Sequence, residues 1–166
     1  MNGKIVKRNE KLAFYGIKGA DGKLTYHKMK GFTDISVSKN PKEYSRQYVD
    51  EITETTDVIS YSPTIDFSFD MFSENDVHLD IENVFNSELI GSDAVKSIVI
   101  IDFTKPSKDT DGAYEMLMRD FSLIPDTEGK GTEFYQYSGT LKAKGDVKTG
   151  YATSEDDFET CIPTVR

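Results

Sequence analysis

Apolar and polar residues alternate most regularly between Ile59 and Phe72, where Ile59, Tyr61, Ile65, Phe67, Phe69 and Met71 are interleaved with Ser60, Ser62, Thr64, Asp66, Ser68 and Asp70. A strand turns successive side chains to opposite faces, so this run predicts one long strand with a dry face and a wet face. Pro63 lacks a ladder donor and predicts a bend or bulge within it. Ser97 to Thr104 carries Ile98, Val99, Ile100 and Ile101 without interruption, the pattern of a central strand buried on both faces. Phe32 to Ser38, Ala113 to Ile124 and Glu133 to Ala143 predict three more strands, the last two joined through Pro125, Gly129 and Gly131.

The period changes once. From Asp76 to Ile90 the apolar residues Val77, Ile81, Val84, Phe85 and Leu89 recur at helical spacing, with Asp76 and Asp80 near the positive N-terminal end and Gly91 as a stop. A helix over about residues 76–90 should pack as a lid on the sheets, with Val77 and Phe85 in the core. Lys39 to Asp57 and Lys105 to Gly112 have no apolar period and read as loops or arms; residues 39–57 are long for a hairpin connection. The chain is predicted to be mainly β with one helix.

Composition narrows the chemistry. A chain of 166 residues is expected to form a single domain over 1–166, and no stretch has the run of uncharged apolar residues that a membrane helix needs. Met1 to Val6 lacks the apolar core of a signal peptide, so no membrane partner is expected. The lone Cys161, with only His27 and His78, leaves no internal disulfide and no thiolate or imidazole cluster for zinc. The formal charge of −9 argues against free-standing nucleic-acid binding, which draws on Lys and Arg to neutralise phosphates.

The charge is ordered along the chain. Residues 1–48 hold 11 basic and 4 acidic side chains, residues 49–95 hold 12 acidic and no basic ones, and residues 96–166 hold 9 basic and 13 acidic. One copy can therefore present a basic face to the acidic face of another, although an ordinary solvated surface that mixes the two signs is an equal alternative.

Catalytic signals are thin. Gly129-Lys130-Gly131-Thr132 is too short for a phosphate-cradling loop. His27 and His78 read as solvated side chains, Ser154-Glu155-Asp156-Asp157 as an exposed turn, and Cys161 as a small, partly buried apolar residue. Asp66, Asp70, Glu74, Asp76 and Asp80 lack the spacing of a calcium loop and read as a solvated face. No enzyme activity, cofactor or metal is expected.

Several short motifs together resemble one family. Lys39-Asn40-Pro41-Lys42-Glu43-Tyr44-Ser45-Arg46-Gln47-Tyr48-Val49-Asp50-Glu51, then Tyr61-Ser62-Pro63 before the amphipathic run, one helix, Gly91-Ser92-Asp93, and an Ile/Val strand ending at Asp102 are similar to the tail tube (major tail) proteins of tailed bacteriophages. Tyr137-Ser138-Gly139-Thr140-Leu141-Lys142-Ala143-Lys144-Gly145-Asp146, followed by Gly150-Tyr151-Ala152-Thr153, resembles that family's closing hairpin. The resemblance spans Phe14 to Ile162 and leaves out Met1 to Lys11, expected to be a flexible N-terminal arm.

The resemblance implies a two-sheet β-sandwich or barrel with one flanking helix and a long extended loop. It further implies self-association into stacked hexameric rings in a virion tail, made in the host bacterial cytoplasm, with tape measure, terminator, and baseplate or tail-tip proteins as further partners. DNA would pass through the lumen without specific binding. Related tubes serve contractile tails, phage-derived bacteriocins and type VI secretion.

Two groups of residues carry the expected assembly. Asp66, Ser68 and Asp70, with Glu133, would face the channel and repel phosphates. Tyr44, Arg46, Tyr48, Asp50 and Glu51 would contact a neighbouring subunit, since Tyr and Arg concentrate binding energy at interfaces. The alternative is a monomeric acidic β-sandwich that binds a ligand such as a glycan on Tyr135, Tyr137 and Tyr151.

Overall fold

In the computed structural model, which describes residues 1–166, every strand pairing is antiparallel. In chain order the elements are β1 (Lys11–Lys18), β2 (Leu24–Lys28), β3 (Phe32–Ser38), β4 (Pro41–Arg46), β5 (Thr55–Tyr61), β6 (Thr64–Asp70), the helix α1 (Asp76–Asn86), β7 (Val95–Pro106), β8 (Tyr114–Lys130), β9 (Gln136–Ala143), β10 (Lys148–Thr153) and β11 (Thr160–Val165).

The 17-residue β8 organises the rest. One of its edges pairs with β7, while the other is shared, Tyr114 to Met118 with β10 and Phe121 to Lys130 with β9. The order β10-β11-β2-β1-β7-β8 thus returns to β10 as a closed circuit of strands, and β8-β9-β6-β3 continues outward as a second layer. The expected mainly β architecture with one flanking helix is present.

Two cores follow from strand alternation. Phe14, Val99, Ile101 and Met116 point into the closed circuit with Tyr26, Ala152 and Cys161. Their neighbours Ala13, Tyr15 and Ile98 point outward and meet Ile65, Phe67, Phe69, Leu123, Tyr137 and Leu141 of the second layer. This explains why the Ile98 to Ile101 run is apolar throughout: each of its faces lines a different core. Gly139 is needed at the layer contact, because a Cβ there would stand 2.7 Å from the Ile124 carbonyl oxygen and 2.8 Å from the Phe67 ring.

Helix α1 closes one end of the gap between the layers with Val77, Ile81 and Val84, and Phe85 meets Tyr137 edge-on at 5.0 Å. Asn75 caps it by accepting the His78 backbone N–H at 3.1 Å. The helix stops at Asn86, short of the expected Ile90, with Glu88 in the left-handed region (φ 47°) and the Leu89 N–H folded back to the Val84 carbonyl at 3.2 Å.

His78, expected on a solvated face, is fully buried. Its ring stacks on Phe69 at 4.2 Å, its Nδ1 accepts the Phe72 N–H at 3.2 Å, and its Nε2 bonds the Lys30 carbonyl at 2.8 Å. Burial holds its pKa below the usual value.

The run from Ile59 to Phe72 is two strands in two different sheets. Beyond a bend, Pro63 interrupts the ladder altogether, and Asn40 (φ 47°) pins the break by donating from its side-chain amide to the Ser62 carbonyl and to Thr64 Oγ1, both at 3.1 Å. Ile59 and Tyr61 consequently lie on the surface. The segment 39–57, expected as an extended loop or arm, contains β4 and the start of β5, which pair only with each other as a projecting two-stranded hairpin.

Candidate functional site

The outer face of the second layer is polar because its strands alternate in register. Asp66 lies between Ser36 of β3 and Thr140 of β9, and accepts a hydrogen bond from Thr140 Oγ1 at 2.9 Å. One step along, Asp34, Ser68 and Ser138 form the next row, with Ser68 Oγ 2.8 Å from Thr33 Oγ1. Asp70 is opposite Gln136. Asp66, Ser68 and Asp70 therefore share one face of the layer.

Glu133 does not join those rows. It is exposed in the turn between β8 and β9, beyond the end of the ladder. Asp34 stands in these rows instead, and its position is signalled by the alternation of Asp34, Ser36 and Ser38 with Ile35 and Val37.

Two strand edges of this layer are unpaired. β3 pairs with no strand but β6, although the Arg8 guanidinium donates to its Ile35 carbonyl at 3.2 Å, and β8 beyond Ser122 has no partner strand on the side away from β9. Such edges present rows of N–H and C=O groups that template pairing with another chain.

The hairpin β4–β5 buries none of its residues. On one face the Arg46 guanidinium lies between two rings, 5.4 Å from Tyr44 and 5.3 Å from Tyr48, and 3.6 Å from the Asp57 carboxylate. On the other, Ser45 and Thr56 hydroxyls meet at 2.8 Å. Asp50 and Glu51 sit at the tip, where the Gln47 amide donates to the carbonyls of Glu51 and Ile52 at 3.0 and 3.1 Å. The structure thus places Tyr44, Arg46, Tyr48, Asp50 and Glu51 on one projecting element.

No protein-family model and no curated protein matches the sequence. Solved structures do. A chain in the tail of an empty GTA particle with C6 symmetry superposes with a TM-score of 0.62 at 12% identity, over 88% of this chain and 99% of that one. A chain of the six-fold symmetrised anti-feeding prophage baseplate gives 0.51 at 9% identity, over 90% and 97%. One of the anti-feeding prophage tube-terminating cap gives 0.51 at 13%, over 93% and 95%. The chain has a tail-tube fold.

Within this tail-tube fold the three tyrosines proposed as a ligand surface do not form one. Tyr137 is buried and stacked on Phe69 at 5.4 Å, Tyr135 is exposed with its hydroxyl donating to Glu128 at 3.0 Å, and Tyr151 lies on β10 against Arg166. Tyr137 belongs to the dry face of β9, so its aromatic ring serves the core. Cys161 is buried in the closed circuit, and burial pushes its thiol up to about 12, far from a reactive thiolate. No group of three or more His, Cys, Asp or Glu side chains is placed to hold a metal ion.

Proposed function

We propose that this chain is a structural subunit of a tail tube, a single domain over residues 1–166 with residues 1–11 as an N-terminal arm, which assembles into stacked hexameric rings around a channel for DNA. The observation that carries the reading is a four-stranded layer with a polar outer face and two unpaired edges on a tail-tube fold. Joining β3 of one copy to the free length of β8 of the next removes both edges and continues the polar face around the ring. Asp34, Asp66 and Asp70 then line the lumen and repel phosphates, so DNA passes without adhering. Tape measure, terminator, and baseplate or tail-tip proteins are the expected partners at the tube ends. The assembled location is the virion tail, after synthesis in the host bacterial cytoplasm.

The test is negative-stain microscopy with sedimentation on the purified chain at rising concentration. Rings or tubes are the expected outcome; a strict monomer at high concentration would overturn the reading in favour of a free-standing binding module.

A further inference from the structure

Strand β8 carries a charge on a dry face. Alternation turns Leu117, Arg119, Phe121 and Leu123 toward the second layer, where Phe121 and Leu123 belong to the core. Arg119 is the cation in that row. Its Nε is buried with no hydrogen-bond partner, the one side-chain polar atom of the chain in that condition, and its guanidinium forms no ion pair. A guanidinium stays charged and carries five donors, so a buried N–H left unmet is costly and marks a site completed by another molecule.

Arg119 lines a cleft of about 520 Å³ between the root of the β4–β5 hairpin and the turn after β9. Lys142 lines it too, and also has no ion pair. It lies opposite Thr64 in the β6–β9 register, in the row of the polar face next to Asp66 and Thr140. Thr64 Oγ1 accepts the Asn40 side-chain amide at 3.1 Å and keeps its own proton to donate, and Ser62 adds a second hydroxyl to the lining. Two free cations and two hydroxyls thus border one hollow, against a single carboxylate, the exposed Asp146.

We propose that this cleft binds a phosphate-class oxyanion, held by the Arg119 guanidinium and the Lys142 ammonium, with the Ser62 and Thr64 hydroxyls donating to its remaining oxygens. The planar fork of Arg119 matches two oxygens of a phosphate, and Lys142 supplies a point charge. A water molecule would accept from Nε but would leave both positive charges uncompensated. The oxyanion has two sources, phosphate free in solution and the backbone of DNA. Only the second rests on the tube reading, because Lys142 stands on the face assigned there to the channel; the first needs neither a second copy nor a lumen.

Calorimetric titration of the full chain tests the site. Inorganic phosphate, against chloride at matched ionic strength, should bind with a Kd of about 1 mM or tighter. Arg119→Gln should weaken binding by about tenfold or more. Arg119→Lys, which keeps the charge and loses the fork, should fall between the two. Because position 119 borders the core, thermal unfolding checks that both variants fold. Lys142→Gln changes an exposed side chain and should by itself weaken binding by about threefold. Asp146→Asn should tighten it. No saturable binding to the natural chain, or equal binding by it, Arg119→Gln and Lys142→Gln, overturns the proposal and leaves Arg119 to water.

A short DNA duplex separates the sources. Duplex binding that inorganic phosphate displaces and that Lys142→Gln weakens assigns the site to backbone phosphate. Phosphate binding without duplex binding assigns it to the free ion, and the tube reading is untouched. Duplex binding that phosphate does not displace overturns the cleft as a seat for DNA.

Discussion

At the scale of single residues, His78 is the side chain whose environment departs most from its sequence context. Flanked by Asp76 and Asp80, it reads as solvated, yet it shares a helical face with Ile81 and Phe85, and that spacing is where its burial was encoded. Polarity hid it, because an imidazole satisfied on both nitrogens packs like an aromatic ring. Its Nδ1 accepts a backbone N–H, so the buried ring is neutral and a proton added there breaks the bond to Phe72. The folded-state pKa is depressed below the unfolded value of 6.5, so the stabilisation is complete above that pH and is lost as pH falls through 6.5 toward the folded value. Thermal unfolding of the unassembled subunit from about pH 8 to about pH 5 should show this loss. His78→Phe should flatten the curve over that window while lowering stability by about 2 kcal/mol, since the Phe72 N–H loses its partner and the Lys30 carbonyl keeps only the Asn75 amide at 3.4 Å. An unchanged slope in the variant would assign the pH dependence to other groups.

At the scale of elements, legibility followed the apolar pattern and not burial: β3 has no buried residue, whereas Ala13 to Gly16 of β1 are all buried. β3, β7 and α1 were readable because each has a continuous or periodic apolar face. β1, β2 and β11 carry no readable period, because they are short or lie mixed among charges and owe their conformation to the neighbours that close the circuit; Gly150 to Thr153 of β10 entered only through the resemblance to a closing hairpin, and the structure pairs β10 with β8 and β11 and not with β9. β5 and β6 were fused in the sequence reading because Ser62 and Pro63 keep the parity of the alternation across a break that only Asn40 reveals. β4 and the first half of β5 could not be read as strands, since a two-stranded ribbon with no buried residue is marginal alone and shows no apolar period there. That marginality predicts how it responds to mutation. Tyr44→Ala with Arg46→Ala removes the ring and guanidinium stack from exposed positions, so the melting temperature of the subunit should move by no more than about 2 °C. Polymerisation should stop. Unchanged tube yield in microscopy would show that the hairpin is an excursion without a partner.

At the scale of the whole molecule, the question is whether the ordered charge has positional meaning. The open faces of the fold separate two kinds of acidic group: Asp66 and Asp70 on the polar layer, and Asp50 and Glu51 on the hairpin tip. If the first pair lines a lumen, carboxylates of adjacent copies repel one another and added salt relieves the repulsion. If the second meets cations of a neighbour, the attraction acts across partly exposed surfaces and is screened over roughly 8 Å at physiological ionic strength. Salt therefore acts in opposite directions on the two surfaces. Asp66→Asn with Asp70→Asn should leave assembly no worse and increase DNA adhesion to the tube wall. Asp50→Lys with Glu51→Lys should slow assembly, most of all at low salt, where steering between unlike charges is strongest. Tube length and nucleation lag at two ionic strengths, together with DNA retention on washed tubes, separate the cases. Identical behaviour of the two double variants would mean that the charges only keep the surface solvated, and that assembly is driven by the strand edges.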